Sequence, residues 1–219
     1  MNVNYKVIIW QYFKGQIGND YGVAGLMGNL EAESGLYPDR LEGDIPYSSK
    51  SAEYTTKVNN GTITKDEFVN DGKGYGLAQW TYPARKKALY EMYKSGNYSS
   101  IGDIYLACTY LYYELQTSYS GVLTVLKNAT SIKEASDKVL HDFENPADQS
   151  EAVELKRNAM GIAIYEEITG ESYDGPDDTD DPDEPDEPDI PTTNKKKRKY
   201  KFILFNRKRY LQIWIKKNF

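Results

Sequence analysis

The sequence predicts a mainly α protein with at most a small β-hairpin or sheet near residues 36–76, followed by a disordered tail. Three observations carry this. Apolar residues recur at helical spacing through most of residues 4–168. Turn formers without a long periodic run are concentrated between Leu36 and Gly76. A proline-punctuated acidic run begins after the last periodic segment. The chain has 219 residues, and a domain of about 150 residues buries roughly two-thirds of its chain surface, enough for a core without staples.

Asn4–Gly15 reads as an amphipathic helix, with Val7, Ile8, Trp10 and Tyr12 among its apolar positions. A second helix starts near Asp20, a good N-cap, and carries Val23, Leu26, Met27 and Leu30 at helical spacing. Gly35 suits the left-handed position that closes it, and Pro38 prevents its resumption. Ser51–Val58 has helical character, and Thr64–Asn70 has a capping box in Thr64 and Glu67. Pro83 fits the first turn of a helix running to about Tyr93, with Arg85, Lys86 and Lys87 as a basic face. Ile101–Leu115 is apolar on nearly every side and belongs in the middle of a bundle. Tyr119–Leu126, Ser131–Asp142 and Ser150–Ile168 complete the helical part.

The net charge of −6 conceals three unlike regions. Residues 171–194 hold eleven acidic residues and no basic one, and residues 195–219 hold eleven basic residues and no acidic one. The tails cancel, so the excess of acid belongs to residues 1–170. This divides the chain into a helical domain (1–170), a Pro/Asp-rich disordered linker (171–194) and a basic amphipathic segment (195–219). The basic segment suits an anionic surface such as a membrane, teichoic acid or nucleic acid. Its apolar runs are too short to span a bilayer. The N-terminus has no apolar core long enough for a signal peptide, which predicts synthesis in a cytoplasm without Sec export.

A single cysteine, Cys108, excludes an internal disulfide and reads as a small buried apolar residue. The single histidine, His141, lies among acidic residues and reads as structural, which argues against Ser–His or Cys–His catalysis. No cluster has metal-ligand spacing, so neither a metal nor a cofactor is expected.

The chemistry is expected at Glu33. At roughly 100° per residue it falls beside Leu26 and Leu30, at the edge of the apolar arc of its helix. A carboxyl there is partly desolvated, which disfavours its charged form. A carboxylic acid is what glycoside cleavage needs, because the leaving oxygen must receive a proton. Glu31, beside Met27, meets a similar criterion. Gly74 and Gly76 leave room for a polymer to approach the backbone, and Tyr75, Trp80 and Tyr82 flank them as stacking surfaces for sugar rings.

"ESGLYP" at 33–38, "GYGLAQW" at 74–80 and "FENPADQS" at 143–150 together resemble the bacteriophage tail lysozyme family. That family is a branch of the lysozyme-like superfamily that includes goose-type lysozymes and lytic transglycosylases. The resemblance covers roughly residues 5–165. It implies a lysozyme-like helical domain that degrades peptidoglycan at the β-1,4 bond between N-acetylmuramic acid and N-acetylglucosamine. Glu33 would be the general acid, and Ser34 would help orient that carboxyl or its neighbours and belong to the substrate-binding set. Tyr75, Gly76, Leu77, Gln79 and Trp80 would hold the glycan strand. Asp44, Asp66 and Asp71 are the candidates for a second carboxylate, and sequence spacing does not rank them. Without one, the substrate acetamido group could act as nucleophile, giving the 1,6-anhydro product of a lytic transglycosylase. A non-catalytic wall-binding tail module and a nucleic-acid role for residues 195–219 are the rival readings. Phage tail proteins are further expected partners, and the enzyme would be virion-associated or released at lysis.

Overall fold

A computed structural model describes residues 4–175. The expected acidic linker (171–194) lies outside them except for its first five residues, and the basic segment 195–219 lies wholly outside them. The described residues form helices and loops without a strand. Two isolated antiparallel bridges, Leu41 with Tyr75 and Tyr75 with Trp80, are all the β-pairing among them. No helix among the described residues is long and apolar enough to cross a membrane.

Helix α1 spans Tyr5–Ile17 and α2 spans Asp20–Ser34. The cap of α2 is Asn19 rather than Asp20: its side-chain oxygen accepts from the amides of Tyr21 and Gly22. Its amide nitrogen donates to Ala129 O, which ties the start of α2 to a distant loop. Gly35 closes α2 in the left-handed conformation, φ +63°, as the sequence predicts. Two short helices follow, α3 (Ser49–Asn59) and α4 (Lys65–Asn70), the latter with the expected Thr64–Glu67 capping box. Then come α5 (Pro83–Ser95), α6 (Ile104–Thr117), α7 (Ser120–Asn128), α8 (Ile132–Val139) and α9 (Glu151–Thr169).

Helix α2 is the centre of the molecule, with α1, α7, α8 and α9 packed around it. All nine residues from Gly22 to Leu30 are buried. Its glycines allow this. A Cβ on Gly25 would stand 2.6 Å from the Ala135 Cβ and the Ser136 amide of α8. A Cβ on Gly28 would stand 2.4 Å from Arg157 O and 2.7 Å from the Gly161 amide of α9. Backbone therefore lies against backbone at these crossings, which only a missing side chain permits.

Two further features depart from the sequence reading. The helix expected to run to Asp142 stops at Val139 and continues as a π turn, Leu140–Glu144. That turn closes on Asn145 in the left-handed region, whose amide donates to Leu140 O at 2.8 Å. The expected basic face of α5 is also absent. Lys87 is exposed, but Lys86 is fully buried against Asp71 and Lys73 O, and Arg85 turns onto Glu114. The acidic partners come from elsewhere in the chain, which helical spacing alone does not reveal.

Candidate active site

Glu33 sits in the last turn of α2 with its side chain 21% exposed, at the surface but held. Arg157 of α9 holds it: Nη2 donates to Glu33 Oε1 at 2.6 Å and Nη1 to Asn29 Oδ1 at 3.0 Å. Asn29 is fixed in turn, one helical turn before Glu33, by donating to Ser136 O and Gly25 O. An ion pair thus stands where the sequence suggests only a desolvated acid. No hydrogen bond brings Glu31 into this network. Ser34 is buried and its hydroxyl donates to Leu30 O at 3.0 Å, within its own helix.

Arg40 joins the end of α2 to the glycine-rich turn. Its Nη1 donates to Ser34 O at 3.3 Å, and its carbonyl accepts from the Gly76 amide at 2.8 Å and from Gln79 Nε2 at 3.2 Å. Gly76 and Gln79 both have positive φ, +78° and +43°. At Gly76 a Cβ would also meet the Trp80 ring at 2.8 Å, so the turn requires glycine there. Gln79 is half-buried, and Tyr75, Leu77 and Trp80 are fully buried. The Tyr75 hydroxyl shares a 2.7 Å hydrogen bond with Thr55, and Trp80 Nε1 donates to Glu114 Oε2 at 2.8 Å. Both rings therefore face inward and support the turn, where the sequence reading has them lining a cleft. Tyr82, 73% exposed, is the aromatic side chain here that is free to stack.

The aspartates proposed as second carboxylates are held elsewhere. Asp44 is buried under the start of α3, where the hydroxyls of Ser48 and Ser51 hold its carboxyl well below the usual range. Asp71 pairs with Lys86 and accepts from the Tyr54 hydroxyl. Asp66 is exposed in the first turn of α4.

The carboxyl that senses Glu33 is Glu144, at the end of the π turn. Burial raises it to about 8, the charge of Glu33 adds to this, and Arg85 and Arg157 pull the other way. Its Oε1 is buried with no hydrogen-bond partner. Next to it Arg85 donates to both oxygens of Glu114, at 2.7 and 2.8 Å, and lies 4.9 Å from the Phe143 ring centroid. The sequence does single out the FENPADQS segment. It gives no reason to choose Glu144 within it, because the π turn that aims this side chain has no recognisable residue pattern.

Chemically, the assembly offers two carboxyls in different environments, one ion-paired and one with an oxygen buried without a hydrogen-bond partner. No group of three or more His, Cys or acidic side chains among the described residues is arranged to hold a metal ion. Shallow hollows of ≈ 360 and ≈ 350 Å³ lie elsewhere, one beside Lys50, Tyr54 and Lys73 and the other beside Lys14, Asn19 and Tyr165. A family model described as phage tail lysozyme matches residues 4–168. No curated protein and no solved structure matches.

Proposed function

The chain belongs to the phage tail lysozyme family, whose activity is lysozyme-like degradation of peptidoglycan, and on that premise we propose that it cleaves the β-1,4 bond between N-acetylmuramic acid and N-acetylglucosamine with Glu33 as general acid. The observation that supports this best is the Arg40 bridge. It ties the residue after Glu33 to Gly76 and Gln79, so a glycan strand lying along the turn would pass the end of α2.

In this reading Glu33 gives a proton to the bridging oxygen as the bond from that oxygen to the anomeric carbon breaks. Proton donation of this kind contributes about 100- to 10,000-fold in rate. Gln79 Nε2 is taken by Arg40 O and Gly76 O, which leaves the carboxamide oxygen of half-buried Gln79 to accept from sugar N-acetyl or hydroxyl groups, with exposed Tyr82 to stack on a ring. The basic segment 195–219 would hold the enzyme to an anionic wall or membrane surface, a reading that rests on sequence alone.

Zymography of Glu33→Gln against wild type on purified cell walls tests the assignment. Clearing should fall by about 100-fold or more, whereas equal clearing by both proteins would remove Glu33 from the mechanism, and no clearing by the wild type would favour a non-catalytic binding module. Mass spectrometry of the released muropeptides separates reducing ends, expected of a hydrolase, from the 1,6-anhydro ends of a transglycosylase.

A further inference from the structure

Five charged or ionisable side chains from five elements interact around the end of the π turn: Glu33 of α2, Arg85 of α5, Glu114 of α6, Arg157 of α9 and Glu144 itself. Two of the three carboxyls are matched. Glu114 accepts from Arg85 through both oxygens and from Trp80 Nε1. Glu33 accepts from Arg157 at 2.6 Å. Both guanidinium groups are thereby engaged, and Glu144 Oε1 is left buried and unpartnered. On its own turn His141 is turned to Gln149 and Glu154, and Asp142 to Lys138, so neither supplies a partner. Two positive charges balance two carboxylates. An ionised Glu144 would set a third negative charge against two positive ones with its Oε1 already out of water, and a carboxyl so placed favours keeping its proton.

We propose that Glu144 is the second carboxyl of the glycosidic cleavage and shares one proton with Glu33. The inference rests on the lysozyme reading above. In the resting enzyme the proton lies on Glu144, and Glu33 is ionised against Arg157. The reacting arrangement is the other tautomer, with Glu33 protonated and Glu144 ionised. Glu33 then protonates the bridging oxygen, the bond to the anomeric carbon breaks, and its electron pair stays with that oxygen. Water adds to the anomeric carbon and gives its proton to Glu144. Glu33 is again a carboxylate and Glu144 again an acid, so the cycle closes with water as the only co-reactant. In a transglycosylase the sugar 6-hydroxyl replaces water, and its proton goes to the same carboxylate. Protons shared this way leave in steps that belong to the pair, and activity requires the singly protonated pair.

The test combines kinetics with direct titration of the full chain. In Glu144→Gln, kcat on purified walls should fall by about 100-fold or more, with KM within about threefold. The pH–rate profile should also change shape, because one carboxyl of the pair no longer titrates. Glu144→Asp should recover part of the rate. Carboxyl ¹³C NMR of the wild type should find Glu144 protonated well above the ordinary glutamate range, and the Glu33→Gln change should lower it by removing a negative neighbour. An active wild type whose Glu144→Gln variant keeps both its rate and its profile would overturn the inference and leave the lysozyme reading intact. So would a Glu144 that titrates as an ordinary glutamate. A wild type that releases no muropeptide would overturn the lysozyme reading itself, and the catalytic role of Glu144 with it, even where the NMR finds the proton on Glu144.

Discussion

Glu33 and Arg157 are 124 positions apart, yet the second holds the first in place. Arg157 is nearly buried and reaches Asn29 and Glu33 with separate nitrogens of one planar group. A lysine ammonium is a single point charge and cannot hold both at these positions. Arg157→Lys is therefore expected to lose one of two hydrogen bonds to a charged group, a destabilisation of about 1.5–3 kcal/mol, readable in urea unfolding. If Glu33 is the general acid proposed above, the change should also lower kcat more than it raises KM, because the loosened group is then the one at the reacting bond. Unchanged stability and unchanged kcat would mean that this fork holds nothing in place.

At the scale of elements, helix α2 gives the site its rigidity, and its glycines fix how closely α9 approaches. Gly28→Ala would put a Cβ 2.4 Å from Arg157 O, the backbone of the residue that pairs with Glu33. Such overpacking costs about 1–3 kcal/mol, and relief must come from moving α9. The variant should unfold at lower temperature and lose activity beyond what its lower folded fraction explains. Gly15→Ala, where a Cβ meets nothing within 4 Å, is the control that should do neither. The helices themselves were legible in the sequence because their signals are local: the Thr64–Glu67 box, Pro83 at a first turn, Gly35 at a helix end. The inward turn of Arg85 and Lys86 was not, since their partners Glu114 and Asp71 lie 29 and 15 positions away. Apart from its pairing with Arg157, the place of Glu33 at the edge of an apolar arc was legible. Glu144 was not, because a π turn rotates it away from the helical register that any periodicity argument assumes.

For the whole molecule, three shifted groups give stability its dependence on pH. Glu144 is raised in the folded state to about 8 from 4.5. A carboxyl raised on folding binds its proton more tightly in the native state than in the unfolded one. Its contribution is thus complete below about pH 4.5 and is lost as pH rises towards 8. His141 slopes the same way: its pairs with Gln149 and Glu154 raise it above 6.5, so their contribution fades as pH climbs through the raised value. Asp44 slopes oppositely, held low by Ser48 and Ser51, and its contribution is lost only as pH falls below the ordinary aspartate value of 3.8. The wild type should therefore melt at a higher temperature at pH 5 than at pH 8.5. Replacing Glu144 by glutamine removes the largest of these slopes while keeping the shape of the side chain. At pH 8.5 the Glu144→Gln protein should be more stable than wild type by roughly 1–3 kcal/mol, a modest share of the full shift because the residue is only partly buried. At pH 5, where Glu144 is already protonated, the two should nearly coincide. Thermal melts of both proteins from pH 4.5 to 9 measure this directly. A wild type that gains stability across that range would show that Glu144 is ionised in the folded protein and that the carboxyl cluster holds no shared proton.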